Sequence, residues 1–189
     1  MKCLIIAAGK GSRLRQRGDS KPLIPILGIP LIERVIRSAK AAGADEFFVV
    51  TGYNGDRVGN FLERLAERPA TEIPLLVNDD WEKENGLSVL KAREILHEPF
   101  LLLMADHLFE PRRARSLTTN SLANGEIALG VDGDTCNTLV DMEDVTRVRV
   151  EDDDDSMGCK KIRDIGKGLA DFNGFDTGIF LCSPAIFEA

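Results

Sequence analysis

The chain has 189 residues, 43% hydrophobic and 29% charged, the proportions of an ordinary globular domain with enough apolar side chains to bury a sizeable core. Its formal net charge of −7 excludes a general nucleic-acid binder, which needs a basic surface to displace counterions from the phosphate backbone. The four cysteines, Cys3, Cys136, Cys159 and Cys182, include no C-x-x-C pair, so neither a zinc site nor a disulfide framework is indicated, and no apolar run approaches the roughly 18 residues of a transmembrane helix.

Cys3 to Ala7 has the length and branched residues of a buried strand, and it runs into a loop in which Gly9 and Gly11 bracket Lys10. Glycines let several backbone N–H groups approach an anion, while Lys10, Arg13 and Lys21 supply positive charge where a triphosphate would lie. Spacing excludes two better-known glycine loops. Counted from Gly9, G-x-G-x-x-G meets Leu14 where glycine is required, and G-x-x-x-x-G-K-[ST] finds no register. Next, Pro30 to Ala42 predicts an amphipathic helix, with Leu31, Val35, Ile36 and Ala39 on one face and Gly43 as its stop. EFFVVT at 46–51 reads as a buried strand, Asp56 to Glu67 as a second helix, and Pro74 to Val77 as a short strand. Gly86 to Leu96 is the third predicted helix, and Phe100 to Ala105 is the most apolar run in the chain.

Beyond residue 110 the pattern is less regular. A helix over Ala114 to Asn124 closed by Gly125 is expected, with strands at Ile127 to Val131, Val145 to Val150 and Thr177 to Cys182. The run Glu151 to Asp155 reads as a solvated turn rather than a metal site. Pro184 opens a helical segment that Ser183 is placed to cap, and it stops at Ala189, so the natural protein is expected to continue.

Strands separated by helices predict an α/β fold, a Rossmann-like three-layer α/β/α arrangement with a mostly parallel central sheet. No repeat or linker divides it, so residues 1–189 are expected to form one domain. Ligands of such sheets bind beyond the carboxyl ends of the strands. The Gly9 loop leaves the first strand there and Asp106 leaves the strand at Phe100 to Ala105, so the two share one crevice if those strands are neighbours. A carboxylate at Asp106 can reach a hard cation bridging phosphates; a helix or turn cap accounts for an aspartate there equally well. In ENGLSVL, Asn85 can cap the third helix, or a helix start beside Gly86 and Ser88 can receive a base or phosphate. His107 is read as structural.

The string Ala7, Ala8, Gly9, Gly11, Arg13, Leu14 followed by Lys21 and Pro22 resembles nucleotidyltransferases that couple an NTP to a phosphorylated sugar or alcohol. KPLIPILGIPLIERVI, EFFVVTGYNGD, MADH and FDTGIFLCSPAIFEA are similar to the CTP:inositol-1-phosphate cytidylyltransferases, with residues 111 to 160 departing most. The resemblance implies a nucleotidyltransferase sheet of the GT-A-like type. It implies Arg13, Lys21 and Asp106 as catalytic residues, and Ala7, Ala8, Gly9, Gly11, Ser12, Gly86 and Ser88 as substrate contacts. Asp106 and Asp176 would hold Mg²⁺. Its implied partners are an NTP, CTP on the closer likeness, and a phosphorylated alcohol such as inositol 1-phosphate. A fused membrane CDP-alcohol transferase and a second copy of the chain complete the expected partners, with no nucleic acid and no membrane contact by this segment. No signal peptide precedes the first strand, and a cytoplasmic enzyme is expected. Two further readings stand beside this one: a sugar-1-phosphate or choline-phosphate nucleotidyltransferase, and a non-catalytic nucleotide-binding regulatory domain.

Overall fold

Branched apolar residues make β1 (Lys2–Ala7) a strand whose side chains are all buried from Cys3 onward, as happens when helices cover both faces of a sheet. The computed structural model containing it describes residues 1–11, 20–66, 72–119, 122–123, 125–152 and 160–188. Two units emerge from its internal contacts, Met1–Ala128 with Gly178–Ala189, and Leu129–Thr177.

In the first unit β1 lies between β4 (Glu46–Thr51) and β6 (Phe100–Met104), parallel to both, and β5 (Leu75–Val77) extends the sheet beyond β4. Residues Ile179 to Cys182 of β10 (Gly174–Cys182) close the other side, antiparallel to β6. Successive residues of β1 face opposite ways. Cys3, Ile5 and Ala7 pack with α1 (Leu31–Ala42), α2 (Gly55–Ala66) and Ala114 of α4 (Pro111–Thr118). Leu4, Ile6 and Ala8 pack with Val89 of α3 (Asn85–Leu90) and with Phe187 of the final 3₁₀ turn, Pro184–Glu188. Helix, sheet and helix are therefore the three layers of this unit, as the sequence predicts. Cys3 and Cys182 belong to opposite layers, and burial pushes both thiols up, Cys182 to about 12. Cys136 is exposed.

Several boundaries differ from expectation for local reasons. Helix α1 stops where predicted, because Gly43 takes the left-handed conformation at φ 110. Helix α3 ends at Leu90 instead of Leu96. Lys91, Ala92 and Arg93 donate to carbonyls three residues back, so the α-ladder tightens into turns. Helix α4 starts earlier than expected, with Pro111 in its first turn. It ends at Thr118, where the hydroxyls of Thr118 and Thr119 bond back to Arg115 and Ser116 carbonyls. A small hairpin, β2 (Pro25–Ile26) with β3 (Ile29–Pro30), was not expected; Leu27 at φ 50 and Gly28 at φ 77 make its turn.

The second unit is antiparallel. Strand β8 (Arg147–Asp152) pairs with β9 (Lys160–Gly166), which the sequence reading missed, and with Gly174 and Phe175 of β10. Strand β7 (Ile127–Asp132) enters this unit at Leu129 and pairs with β10, where the Thr177 hydroxyl donates to the Gly130 carbonyl at 2.6 Å. The register of the β8–β9 pair slips between Arg149 and Val150. Asn173 spans the slip, accepting from Val150 N–H and donating to its carbonyl, both at 2.8 Å. Glu151 and Asp152, the first two carboxylates of the acidic run, pair with Arg163 and Lys160 on β9 at 2.8 Å each. These are exposed pairs of little energetic weight. Asp153 to Asp155 lie outside the described residues. Among the described residues no helix is long and apolar enough to cross a membrane.

Candidate active site

The carboxyl ends of β1 and β6 are side by side, since Ile6 is in register with Met104 and the Ala105 N–H donates to the Ile6 carbonyl at 3.0 Å. Beyond them opens a crevice of about 210 Å³. Its walls are Ile6 and Ala7 from β1, Gly9 and Gly11 from the loop, Lys21 with Pro22, Asn85, and Met104 to Asp106 from β6. The volume is below the roughly 300–1,000 Å³ usual for a whole small-molecule ligand, and the lining includes two glycines and the charged pair Lys21 and Asp106, features that suit phosphate groups.

Gly11 is required by its surroundings. Its φ is +58, and a Cβ there would come within 2.6 Å of the Lys21 Cβ, so glycine is what lets the Lys21 stem pass across the loop. Buried Pro22 anchors the 3₁₀ turn Lys21–Leu23 that sets the start of this stem. The Lys21 ammonium reaches Asp106 Oδ2 in an ion pair, and the Nδ1 of His107 bonds Asp106 Oδ1 at 2.8 Å. Burial pushes the Asp106 carboxyl up, but the bonds from His107 and Lys21 outweigh it and hold the group below the usual carboxylate range. Asp106 is therefore an anion at neutral pH. Gly178, at φ +72, makes room for the imidazole, because a Cβ there would lie 3.0 Å from the His107 ring.

Ala7, Gly9, Gly11, Lys21 and Asp106 thus line one crevice. Ala8 is buried and turned away, and its carbonyl accepts the Tyr53 N–H at 2.9 Å. Ser12 and Arg13 lie outside the described residues. Gly86 is exposed, one position past the lining residue Asn85. Asn85 is the first residue of α3 rather than its cap; Glu84 holds the cap position without a side-chain bond. Ser88 is 2% exposed and its hydroxyl accepts from Asn78 Nδ2 at 2.9 Å, so it belongs to a buried polar pair instead of the crevice wall. Asp176 sits inside β10 of the second unit, not before a strand, with its N–H donating to the Thr146 carbonyl at 2.9 Å. His107, expected to be structural, is a direct partner of Asp106.

Removing the Ser88 hydroxyl should strand the Asn78 amide in the interior. Ser88→Ala is expected to lower stability by about 1–3 kcal/mol in urea denaturation, with the KM for nucleotide unchanged. A raised KM at parental stability would instead return Ser88 to the ligand.

A divalent cation can be tested against these donors. Among the described residues each Asp106 oxygen has one partner, which leaves further lone-pair positions on a hard, ionised carboxylate. Among the described residues no group of three His, Cys, Asp or Glu side chains could enclose a metal. The residues suit a cation that arrives with phosphates and takes one or two protein carboxylates, the habit of Mg²⁺, rather than a resident cage.

Residues 3–150 match the family model of the MobA-like NTP transferase domain. The chain is 36% identical over 187 residues to a bifunctional IPC transferase and DIPP synthase of Rubrobacter xylanophilus, covering 97% of this chain and 39% of that protein. Its counterpart in Archaeoglobus fulgidus is 31% identical, over 100% of this chain and 34% of the relative. The chain therefore spans little more than a third of these relatives' length. The solved structure of the inositol-1-phosphate CTP transferase from T. maritima superposes with a TM-score of 0.83 at 26% identity, over 99% of this chain and 72% of that one.

Proposed function

Because the chain belongs to the MobA-like NTP transferase domain family, we propose that it transfers a cytidylyl group from CTP to inositol 1-phosphate with Mg²⁺ and releases pyrophosphate. The observation that carries this reading is the Lys21–Asp106 pair at the mouth of the glycine loop, a cation and an anion held where a polyphosphate and its counterion would lie. The relatives named above support CTP and inositol phosphate as the substrates. A phosphate oxygen of the acceptor attacks the α-phosphorus, the new O–P bond forms, and the bond to the bridging oxygen breaks as pyrophosphate departs with the electron pair. The attacking oxygen is already anionic near neutral pH, so no side chain needs to remove a proton from it.

What the chain contributes is alignment and charge. The backbone at Gly9 is open to phosphate, since a Cβ there would meet nothing within 4 Å, while Gly11 keeps the Lys21 stem beside it. Lys21 offsets negative charge that builds on non-bridging and leaving oxygens, and Arg13 is proposed to do the same. Asp106, with Asp176 as the second proposed carboxylate, would hold Mg²⁺. The ion would neutralise phosphate charge when bound. Exposed Gly86 remains a proposed contact for the base and ribose, and Asn85 at the crevice wall is now proposed beside it. The two curated relatives combine IPC transferase with DIPP synthase, and a similar second activity, placed on the same polypeptide or on a partner, is proposed to use the product. A cytoplasmic site of action goes with this proposal.

Pyrophosphate release measured with each of the four NTPs against inositol 1-phosphate, glucose 1-phosphate and choline phosphate, with and without Mg²⁺, tests the reading. CTP with inositol 1-phosphate should give the highest kcat/KM, and chelation should abolish turnover without unfolding the protein. Preference for a sugar phosphate or choline phosphate would redirect the assignment. Tight nucleotide binding with no turnover on any pair would favour a regulatory domain.

A further inference from the structure

The single tryptophan and single tyrosine of the chain meet beside the glycine loop. Tyr53 and Trp81 stand edge to face with ring centroids 5.1 Å apart. The Lys10 ammonium lies over both, 5.4 Å from the Tyr53 centroid and 5.9 Å from that of Trp81, within cation–π range of each. The rings are fixed to the sheet ends. A Cβ on Gly52 would fall 2.4 Å from the Trp81 Cβ and 2.9 Å from the Ala8 carbonyl, so Trp81 is seated against this backbone. The Tyr53 N–H bond to the Ala8 carbonyl ties the other ring to the end of β1. Lys10, by contrast, sits between two glycines, one open to solvent and the other in the left-handed region. Both neighbours line the phosphate crevice, while Lys10 is not among the lining residues.

Resting on the cytidylyltransferase reading above, we propose that Tyr53 and Trp81 form a parking place for the Lys10 ammonium, and that Lys10 leaves it to bind the β- and γ-phosphates of the incoming nucleotide. A cation over neutral rings exchanges that contact readily for a polyphosphate, because charge-assisted bonds to phosphate oxygens are the stronger of the two. The glycines on either side permit the swing. Lys10, whose charge the sequence already sets near a triphosphate, thus has a resting place outside the crevice, and Trp81 reports whether it is engaged.

With one tryptophan, intrinsic fluorescence reads this site alone. The parent and Lys10→Met are titrated with CTP and, separately, with inorganic pyrophosphate, following Trp81 emission alongside calorimetric affinity. In the parent, either ligand should shift the emission. In Lys10→Met the ligand-free protein should already emit as the saturated parent does, the shift should be lost, and the CTP Kd should rise about tenfold, the worth of one charge-assisted contact. An undiminished shift and an unchanged Kd in Lys10→Met overturn the inference while leaving the cytidylyltransferase reading in place. A Lys10-dependent shift with pyrophosphate but no binding of CTP supports the inference and sinks that reading. A parent that binds neither ligand ends both.

Discussion

Lys21→Ala is expected to lower kcat/KM for nucleotidyl transfer by roughly 10²–10³-fold, the usual loss when one electrostatic stabiliser of a developing charge is removed. The ammonium is placed by two features that alanine leaves intact: the 3₁₀ turn anchored on Pro22 and the gap provided by Gly11. The fold should survive. The Lys21 and Asp106 side chains are 32% and 23% exposed, so solvent screens the pair, and about 1 kcal/mol or less of stability should be lost. Steady-state kinetics beside urea titrations separate the two effects. Turnover within a few-fold of the parent, with the variant folded, would remove Lys21 from the reaction.

Asp106→Asn should abolish Mg²⁺-dependent transfer while sparing most nucleotide affinity measured without metal. Asparagine keeps the size and the hydrogen-bonding outline but loses the charge that holds a hard divalent cation. Metal-free affinity should be unchanged or slightly higher, because a carboxylate near a triphosphate repels it when no cation lies between. Calorimetric CTP titrations with and without Mg²⁺ check this. Normal Mg²⁺-dependent turnover in the variant would reduce Asp106 to a structural anchor for Lys21 and His107. The same pair of proteins also gives a pH test. His107 and Lys21 outweigh burial and hold the folded carboxyl below its unfolded value of roughly 3.9. The stabilisation from the charged form is therefore complete above that value and is lost as pH falls through the lower, folded one. The stability gap between parent and Asp106→Asn in thermal melts should narrow as pH falls below about 4.

The parallel core could be read from the chain because Cys3 to Ala7, Phe47 to Val50 and Phe100 to Met104 are continuous apolar runs, which only a sheet covered on both sides would bury. The crevice followed from them, since strand ends and a glycine loop are local features and the adjacency of β1 and β6 was the single step left to structure. Strand β9 was not legible. KKIRDIG lacks an apolar face and buries none of its own side chains, and ion pairs to Glu151 and Asp152 run along its pairing with β8. The β2–β3 hairpin hid behind Pro25 and Pro30, residues that normally argue against strands. Ser88 was misplaced because its partner, Asn78, lies ten residues away across a turn, and no local pattern announces a buried polar pair. The Lys10, Tyr53 and Trp81 cluster joins three loops in the same way. Lys10 was legible in the sequence as a cation of the glycine loop, but nothing local links it to the two aromatic residues.

The two core thiols have a practical consequence. Only a thiolate reacts quickly with alkylating reagents, and burial holds Cys3 and Cys182 in the neutral, inaccessible form on opposite layers of the sheet. Among the described cysteines, a maleimide dye added to the folded protein has Cys136 as its accessible target. That residue belongs to the antiparallel unit and is not among those that line the crevice, so a fluorophore or spin probe can be attached there with the interior cysteines left native.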